Sequence, residues 1–143
     1  PEKVEIAGTL RTMNEEWREK IKHQIRDISE GIATAMGAVC QVDIKDGYPV
    51  VFNHEQLTRD ASRYASEFIG KEAVAEMDIR MTAEDFGYYT HLFPSVFYRF
   101  GVGQKEGNTG ALHTSEFNLD ENSLETAAGV MAWLAVKFLD NTR

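Results

Sequence analysis

One histidine of this sequence, His113, is placed like a metal ligand. It follows a glycine-rich loop that starts at Gly101, after an apolar run, and it precedes a helical pattern. Loops that follow buried strands carry the chemistry of many α/β proteins, and a neutral imidazole is a common ligand of zinc and similar ions. The alternative is a loop histidine that hydrogen-bonds Thr114, Ser115 or Glu116. A catalytic zinc needs about three protein ligands, so His113 alone does not make a metal site.

Arg11 and Glu84 are the other residues whose chemistry could serve a substrate. Arg11 lies opposite the apolar side of an alternating segment, where a guanidinium can bind a carboxylate through two parallel hydrogen bonds. The alternative for Arg11 is a surface ion pair with Glu5 or Asp43. Glu84 begins a short helical pattern, where it either faces a pocket or only interacts favourably with the helix N-terminus. The sequence contains no His-Glu-x-x-His, paired-cysteine, Gly-x-Ser-x-Gly or phosphate-loop motif.

The elements that must position these residues are predicted to alternate between strand and helix, which is typical of the α/β class. Strands are predicted at 4–11, 40–45, 73–79 and 96–102. Helices are predicted after Asn14, Asn53 and Thr82, and from about 121 to 140. The first helix has an apolar stripe on one side only, so we expect it to cover a sheet.

A change of pattern near residue 48 divides the sequence into two parts. The turn signal Asp46-Gly47-Tyr48-Pro49 closes a strand–helix–strand unit, and a new helical pattern follows it. We therefore predict one domain at 1–48 and a second at 49–143. Because a half-buried strand begins almost at Pro1 without an initiator methionine, we expect either a piece of a longer chain or a cleaved precursor.

Composition excludes several classes of function. The 143 residues carry a formal net charge of -8, which argues against nucleic acid or an anionic membrane as a partner. No apolar stretch approaches the roughly 18 residues that a membrane span requires. The single cysteine, Cys40, cannot form an internal disulfide, so a reducing compartment and hence the cytoplasm is expected.

Four motifs occur in an order that resembles a known family. They are Glu2-x-Val4-Glu5-x-x-Gly8-Thr9-Leu10-Arg11-Thr12, Gly47-Tyr48-Pro49-x-Val51-x-Asn53, Ala83-Glu84-Asp85-Phe86 and Leu112-His113-x-Ser115-x-Phe117-Asn118-x-Asp120-Glu121. Together they resemble the C-terminal part of the M20 metallopeptidases. The similar branch is that of the amidohydrolases, which contains hippurate hydrolases, aminoacylases and N-acetyl-diaminopimelate deacetylases. Each motif alone is weak, but four in sequence are fairly specific.

This resemblance implies a fold and an activity. Residues 1–48 would be half of an α+β lid that also forms a homodimer, and 49–143 would be the C-terminal portion of a catalytic α/β domain. Two divalent ions, zinc or manganese, would activate water to hydrolyse the amide bond of an N-acyl amino acid or a related small amide. His113 matches the family's C-terminal metal ligand and Arg11 the lid arginine that binds the substrate carboxylate. Glu84 falls in a matching motif without an assigned role.

The resemblance is also incomplete. The N-terminal metal motif, the bridging carboxylate and the glutamate pair that includes the general base are absent from these residues. We therefore expect the fragment alone to be inactive and to bind no metal tightly. The alternative hypothesis is a non-enzymatic dimerisation or interaction module formed by residues 1–48, for which the remainder is a packing partner.

Overall fold

Helices are the regular secondary structure of the computed structural model, which describes residues 1–104 and 110–140. Helix α1 spans Glu15–Ala35, α2 spans Glu55–Ile69, α3 spans Gly87–Leu92 and α4 spans Asn122–Asp140, with a one-turn 3-10 helix at Lys71–Ala73. The described residues form two compact units. The first consists of Pro1–Phe52 and Ile79–Phe93, and the second consists of Asn53–Asp78 and the described residues from Pro94 onward. The predicted boundary between 1–48 and 49–143 stays a prediction.

The predicted α/β class is wrong for this chain, because none of the four predicted strands forms in the part that the structure describes. The half of an α+β lid predicted at 1–48 likewise contains only a helix. A strand exists only where a neighbouring strand exchanges backbone hydrogen bonds with it. Around 96–102 such bonds are isolated: His54 N–H donates to the Ser95 carbonyl at 2.9 Å, and Asp120 N–H to the Val102 carbonyl at 2.9 Å. The side-chain patterns predicted strands, but the predicted segments lack the series of hydrogen bonds to a neighbouring strand that a sheet requires.

Helix α1 begins and ends where local chemistry predicts. The side chain of Asn14 accepts a hydrogen bond from Trp17 N–H at 2.9 Å, which satisfies one of the free donors at the N-terminus. Glu15 and Glu16 lie in the first turn, where the helix dipole favours negative charge. Gly37 follows the helix with φ 75°, in the left-handed region that glycine enters at little cost.

The apolar stripe of α1 is not covered as predicted. Helix α1 has no buried residue, and Ile28 and Met36 of its stripe are 60% and 80% exposed. Val4 and Ile6, on the expected apolar face of the first segment, are 69% and 94% exposed. The sheet that the stripe was expected to cover is absent from the described residues, so the first unit retains a large exposed apolar surface.

The core of the second unit lies between α2 and α4. Ala61 and Tyr64 of α2 pack with Val130 and Leu134 of α4. The indole of Trp133 adds a hydrogen bond across the helix pair, from Nε1 to the Tyr64 carbonyl at 3.0 Å. The packing and this hydrogen bond hold α2 and α4 together, and the loops attached to these helices start from fixed positions.

The residue that caps α2 differs from the one predicted. Asn53 was expected to cap this helix, but the N-cap is His54, whose side chain accepts from Leu57 N–H. Asn53 instead binds the backbone of another segment.

Among the described residues, no helix is both long enough and apolar enough to cross a membrane.

Candidate functional site

His113 occupies an unusual backbone conformation. Its φ is 64°, and it is the one non-glycine residue with positive φ in the described part of the chain. An L-residue with a bulky side chain enters this left-handed region at a cost of about 1 kcal/mol or more, and such residues concentrate at functional sites. The predicted metal ligand therefore has a backbone conformation that costs free energy.

The turn around His113 is closed by its neighbours. The Thr114 hydroxyl donates to the Ala111 carbonyl at 2.8 Å, and Phe117 N–H donates to the Thr114 carbonyl at 3.2 Å. Gly110, with φ 69°, lies so close to the Glu116 carbonyl that a side chain at Gly110 would collide with it. These contacts hold the turn through backbone and hydroxyl groups and leave the imidazole out of the network.

The imidazole of His113 is exposed. Thr114 uses its hydroxyl on Ala111, and no residue within 1–104 and 110–140 occupies the ring nitrogens of His113. A ring nitrogen of this kind fits one position of a metal coordination sphere. No group of three or more histidine, cysteine or acidic residues that could hold a metal ion occurs within 1–104 and 110–140. The described residues therefore provide one candidate ligand and not a full set.

Arg11 lies in the first unit and is anchored by its guanidinium. One nitrogen, Nη1, donates to the Met81 carbonyl at 2.6 Å. Glu5, considered above as its ion-pair partner, contacts Lys3 at 2.5 Å instead. A guanidinium has five N–H groups, so an Arg11 held through one nitrogen retains donors for a substrate carboxylate.

Glu84 lies three residues beyond the anchor of Arg11. It is half-buried, and its carbonyl accepts from Gly87 N–H at 3.2 Å in the turn that leads into α3. Gly87 itself lies against the Pro49 carbonyl, where a larger residue would clash. The structure thus brings the motifs of Arg11, Pro49 and Glu84 together within the first unit, whereas His113 belongs to the second unit.

The segment that follows residue 45 is fixed to both α1 and α3. Arg18 donates to the Tyr48 carbonyl at 2.8 Å, and Glu15 accepts from Val50 N–H at 2.7 Å. On the other side, His91 Nε2 lies 2.8 Å from the Val50 carbonyl. These contacts hold residues 48–50 between α1 and α3 within the first unit.

An ion pair extends this attachment along α1. Lys22 contacts Asp46 at 2.5 Å and Glu19 at 2.6 Å. The hydrogen bond from Lys22 lowers the pKa of Asp46, and the hydrogen bonds to Asp46 and Glu19 raise the pKa of Lys22. The pair is therefore charged at neutral pH.

Residues 5–137 match the family model described as Peptidase family M20/M25/M40. The chain belongs to this family. No solved structure matches it.

Three relatives of this M20 family member carry the names of hydrolytic enzymes. It is 32% identical over 130 residues to the N-acetyldiaminopimelate deacetylase of Bacillus subtilis, covering 91% of the chain and 33% of the relative. It is 31% identical over 140 residues to thermostable carboxypeptidase 2 of Saccharolobus solfataricus, covering 96% and 35%. An uncharacterized hydrolase of Sinorhizobium fredii is 31% identical over 122 residues, covering 85% and 30%. The chain spans about a third of the length of these relatives.

Membership in the M20 family confirms the resemblance inferred from the four motifs. The family is generally metal-dependent, and the names of the relatives support a hydrolytic enzyme. The roles of His113, Arg11 and Glu84 stay predictions. The structure shows the surroundings of each residue.

Asn53 is a residue of the M20 motifs whose function the sequence did not reveal. Its Nδ2 donates to the Phe97 carbonyl at 2.9 Å, and its Oδ1 accepts from Phe97 N–H at 2.7 Å. One amide side chain thus makes both hydrogen bonds that a neighbouring strand would make to Phe97. The sequence did mark Asn53, since it ends the Gly47–Asn53 motif. Because asparagine is also a common helix cap, its place before α2 was interpreted as a cap.

Replacing Asn53 with alanine is expected to destabilise the second unit by about 1 to 2 kcal/mol, because two neutral hydrogen bonds at an exposed position are lost. Urea denaturation followed through Trp133 fluorescence measures this change. Gln24→Ala, which removes an exposed amide from α1, is the control and is expected to cost less than about 0.5 kcal/mol. Equal stability of Asn53→Ala and the unsubstituted chain would show that the paired bonds contribute nothing.

Proposed function

We propose that these residues act within a longer polypeptide, the complete enzyme, as a metal-dependent hydrolase of the amide bond of N-acyl amino acids or related small amides. The observation that carries the proposal is His113. In a member of a generally metal-dependent family, the motif histidine is exposed, has no partner for its ring among the described residues, and has φ 64°. Conformational strain kept at a residue with free ligand atoms supports a functional role.

The proposal assigns a separate role to each of the three motif residues. His113 would hold one of two divalent ions, zinc or manganese, through a ring nitrogen, and the other ligands and the general base would come from residues outside this chain. Bound divalent ions supply hydroxide at neutral pH and polarise the amide carbonyl. Arg11, anchored on Met81, would orient the substrate through its carboxylate. Glu84 would contribute to the wall of a pocket in the first unit.

The same proposal includes a homodimer formed through residues 1–48. Its support is the exposed apolar surface of α1, where Trp17 and Ile32 are 54% and 58% exposed, since large exposed apolar patches mark association sites. This surface also favours the second candidate function, a non-enzymatic dimerisation or interaction module. The lone Cys40 supports a cytoplasmic location.

Activity of the complete enzyme toward a panel of N-acyl amino acids, measured with and without a chelator, tests the proposal. We expect hydrolysis that falls by at least about 1000-fold after metal removal, because the ions supply several kcal/mol of transition-state stabilisation. Added zinc or manganese is expected to restore it. Association of the complete protein without hydrolysis of any amide, in the presence of either metal, would favour the interaction module instead.

A further inference from the structure

Asp120 connects the loop that carries His113 to helix α4. Its backbone N–H donates to the Val102 carbonyl at 2.9 Å, which brings together the chain before and after the loop. Its side chain points the other way along the chain: Oδ1 accepts from Asn122 N–H at 3.0 Å and from Asn122 Nδ2 at 2.9 Å. One residue therefore closes the base of the loop and holds the first turn of α4.

The carbonyl of Asp120 adds to this attachment. It accepts from Ser123 N–H at 2.9 Å and from the Ser123 hydroxyl at 2.6 Å. Three backbone or side-chain groups of Asp120 are thus engaged within the first residues of α4 or across the loop base. A carboxylate suits this position because it accepts several hydrogen bonds and interacts favourably with the helix N-terminus.

Helix α4, to which Asp120 is attached, is held in the second unit by its contacts with α2. Val130 and Leu134 are buried against α2, and Trp133 is hydrogen-bonded to Tyr64 of that helix. The turn around His113 is itself closed, and its entry at Gly110 is packed against Glu116. Asp120 is therefore the residue at which the segment that carries this turn joins α4.

We propose that Asp120 is a positioning residue for His113: it fixes the base of the His113 loop on the α2–α4 helix pair, so that the imidazole is presented to the metal without further ordering. This inference rests on the proposed metal-ligand role of His113. Through its bonds to Asn122, the Asp120 carboxylate would hold residue 120 against the start of α4 and so keep the Asp120 N–H on the Val102 carbonyl. It would not touch the metal. A looser loop would have to be ordered on binding, and ordering costs affinity.

Substitutions at Asp120 separate geometry from charge. Asp120→Ala removes the acceptor of the two Asn122 bonds and leaves the backbone bond to Val102. Asp120→Asn retains an acceptor oxygen, whereas Asp120→Glu retains the charge but displaces the carboxylate from Asn122 N–H. The inference predicts that alanine and glutamate impair metal binding and that asparagine restores most of it.

The test is calorimetric titration of the metal-stripped complete enzyme with zinc, together with its Tm. We expect Asp120→Ala to weaken zinc binding about ten-fold, as losses of supporting contacts around metal ligands do. Asp120→Glu is expected to weaken it at least three-fold and Asp120→Asn less than three-fold. Leu134→Ala is the control for stability: it is expected to lower the Tm at least as much as Asp120→Ala without changing zinc affinity.

Two results would overturn the inference. One is unchanged zinc affinity in both Asp120→Ala and Asp120→Glu. The other is equal weakening in Leu134→Ala, which would mean that general stability and not Asp120 controls binding. If His113→Ala itself binds zinc normally, the proposed function has failed at His113. If His113→Ala loses zinc while both Asp120 variants bind normally, only the positioning role is wrong.

Discussion

Replacing His113 with alanine is expected to remove one metal ion from the complete enzyme and to lower kcat/KM by at least about 1000-fold, because metal chemistry contributes several kcal/mol to such reactions. The ring nitrogens of His113 are its only means of holding an ion, and alanine has none. Metal content by elemental analysis and turnover of an N-acyl amino acid measure the two effects separately.

The strained backbone at His113 allows a sharper control. Glycine enters positive φ at little cost and asparagine is enriched there, so His113→Asn and His113→Gly are expected to keep the Tm of the metal-stripped enzyme while losing metal and activity. His23→Ala removes an exposed histidine of α1 and should change neither. If a His113 variant retained normal metal content and turnover, the left-handed histidine would be a structural feature of the loop.

Replacing Arg11 with glutamine is expected to lower kcat/KM for an N-acyl amino acid by about 100-fold, since charge-assisted hydrogen bonds contribute about 1.5 to 3 kcal/mol. The structure adds a reason to test lysine as well. Arg11 uses one nitrogen on the Met81 carbonyl, and a lysine ammonium cannot hold that anchor and bind a carboxylate side by side. Arg11→Lys is therefore expected to recover only part of the loss.

A paired substrate identifies the group that Arg11 binds. The carboxamide analogue of the substrate lacks the negative charge, so the unsubstituted enzyme should prefer the acid, and Arg11→Gln should lose most of that preference. Arg26→Gln alters another arginine of the first unit and is expected to leave the preference intact. An equal loss of activity on acid and carboxamide in Arg11→Gln would show that Arg11 supports the fold and does not bind the carboxylate.

The helices of this protein were predictable from the sequence because their determinants are local. The Asn14 cap, the apolar spacing of α1 and the glycine after it all lie within one element. The strands were not predictable in the same way, since a strand depends on partners distant in sequence. Alternation at Val4 and Ile6 indicated an apolar face, yet that face is exposed in the structure.

The candidate site was predictable in part for the same reason. The motif around His113 identified the residue. Its positive φ, and the contacts of Thr114 and Gly110 that close the turn, could be seen only in the structure. Asn53 shows the limit of local reasoning: an asparagine before a helix reads as a cap, whereas its partner is Phe97, 44 residues away. Long-range hydrogen bonds of this kind leave no periodic pattern in a sequence.

Anomalous diffraction at the zinc edge from crystals of the complete enzyme grown with zinc tests the central claim most directly. The account predicts a zinc peak about 2.0 to 2.1 Å from a ring nitrogen of His113, with His113 retaining its left-handed backbone. Zinc bound at full occupancy elsewhere in the enzyme, with the His113 imidazole outside coordination distance, would contradict it.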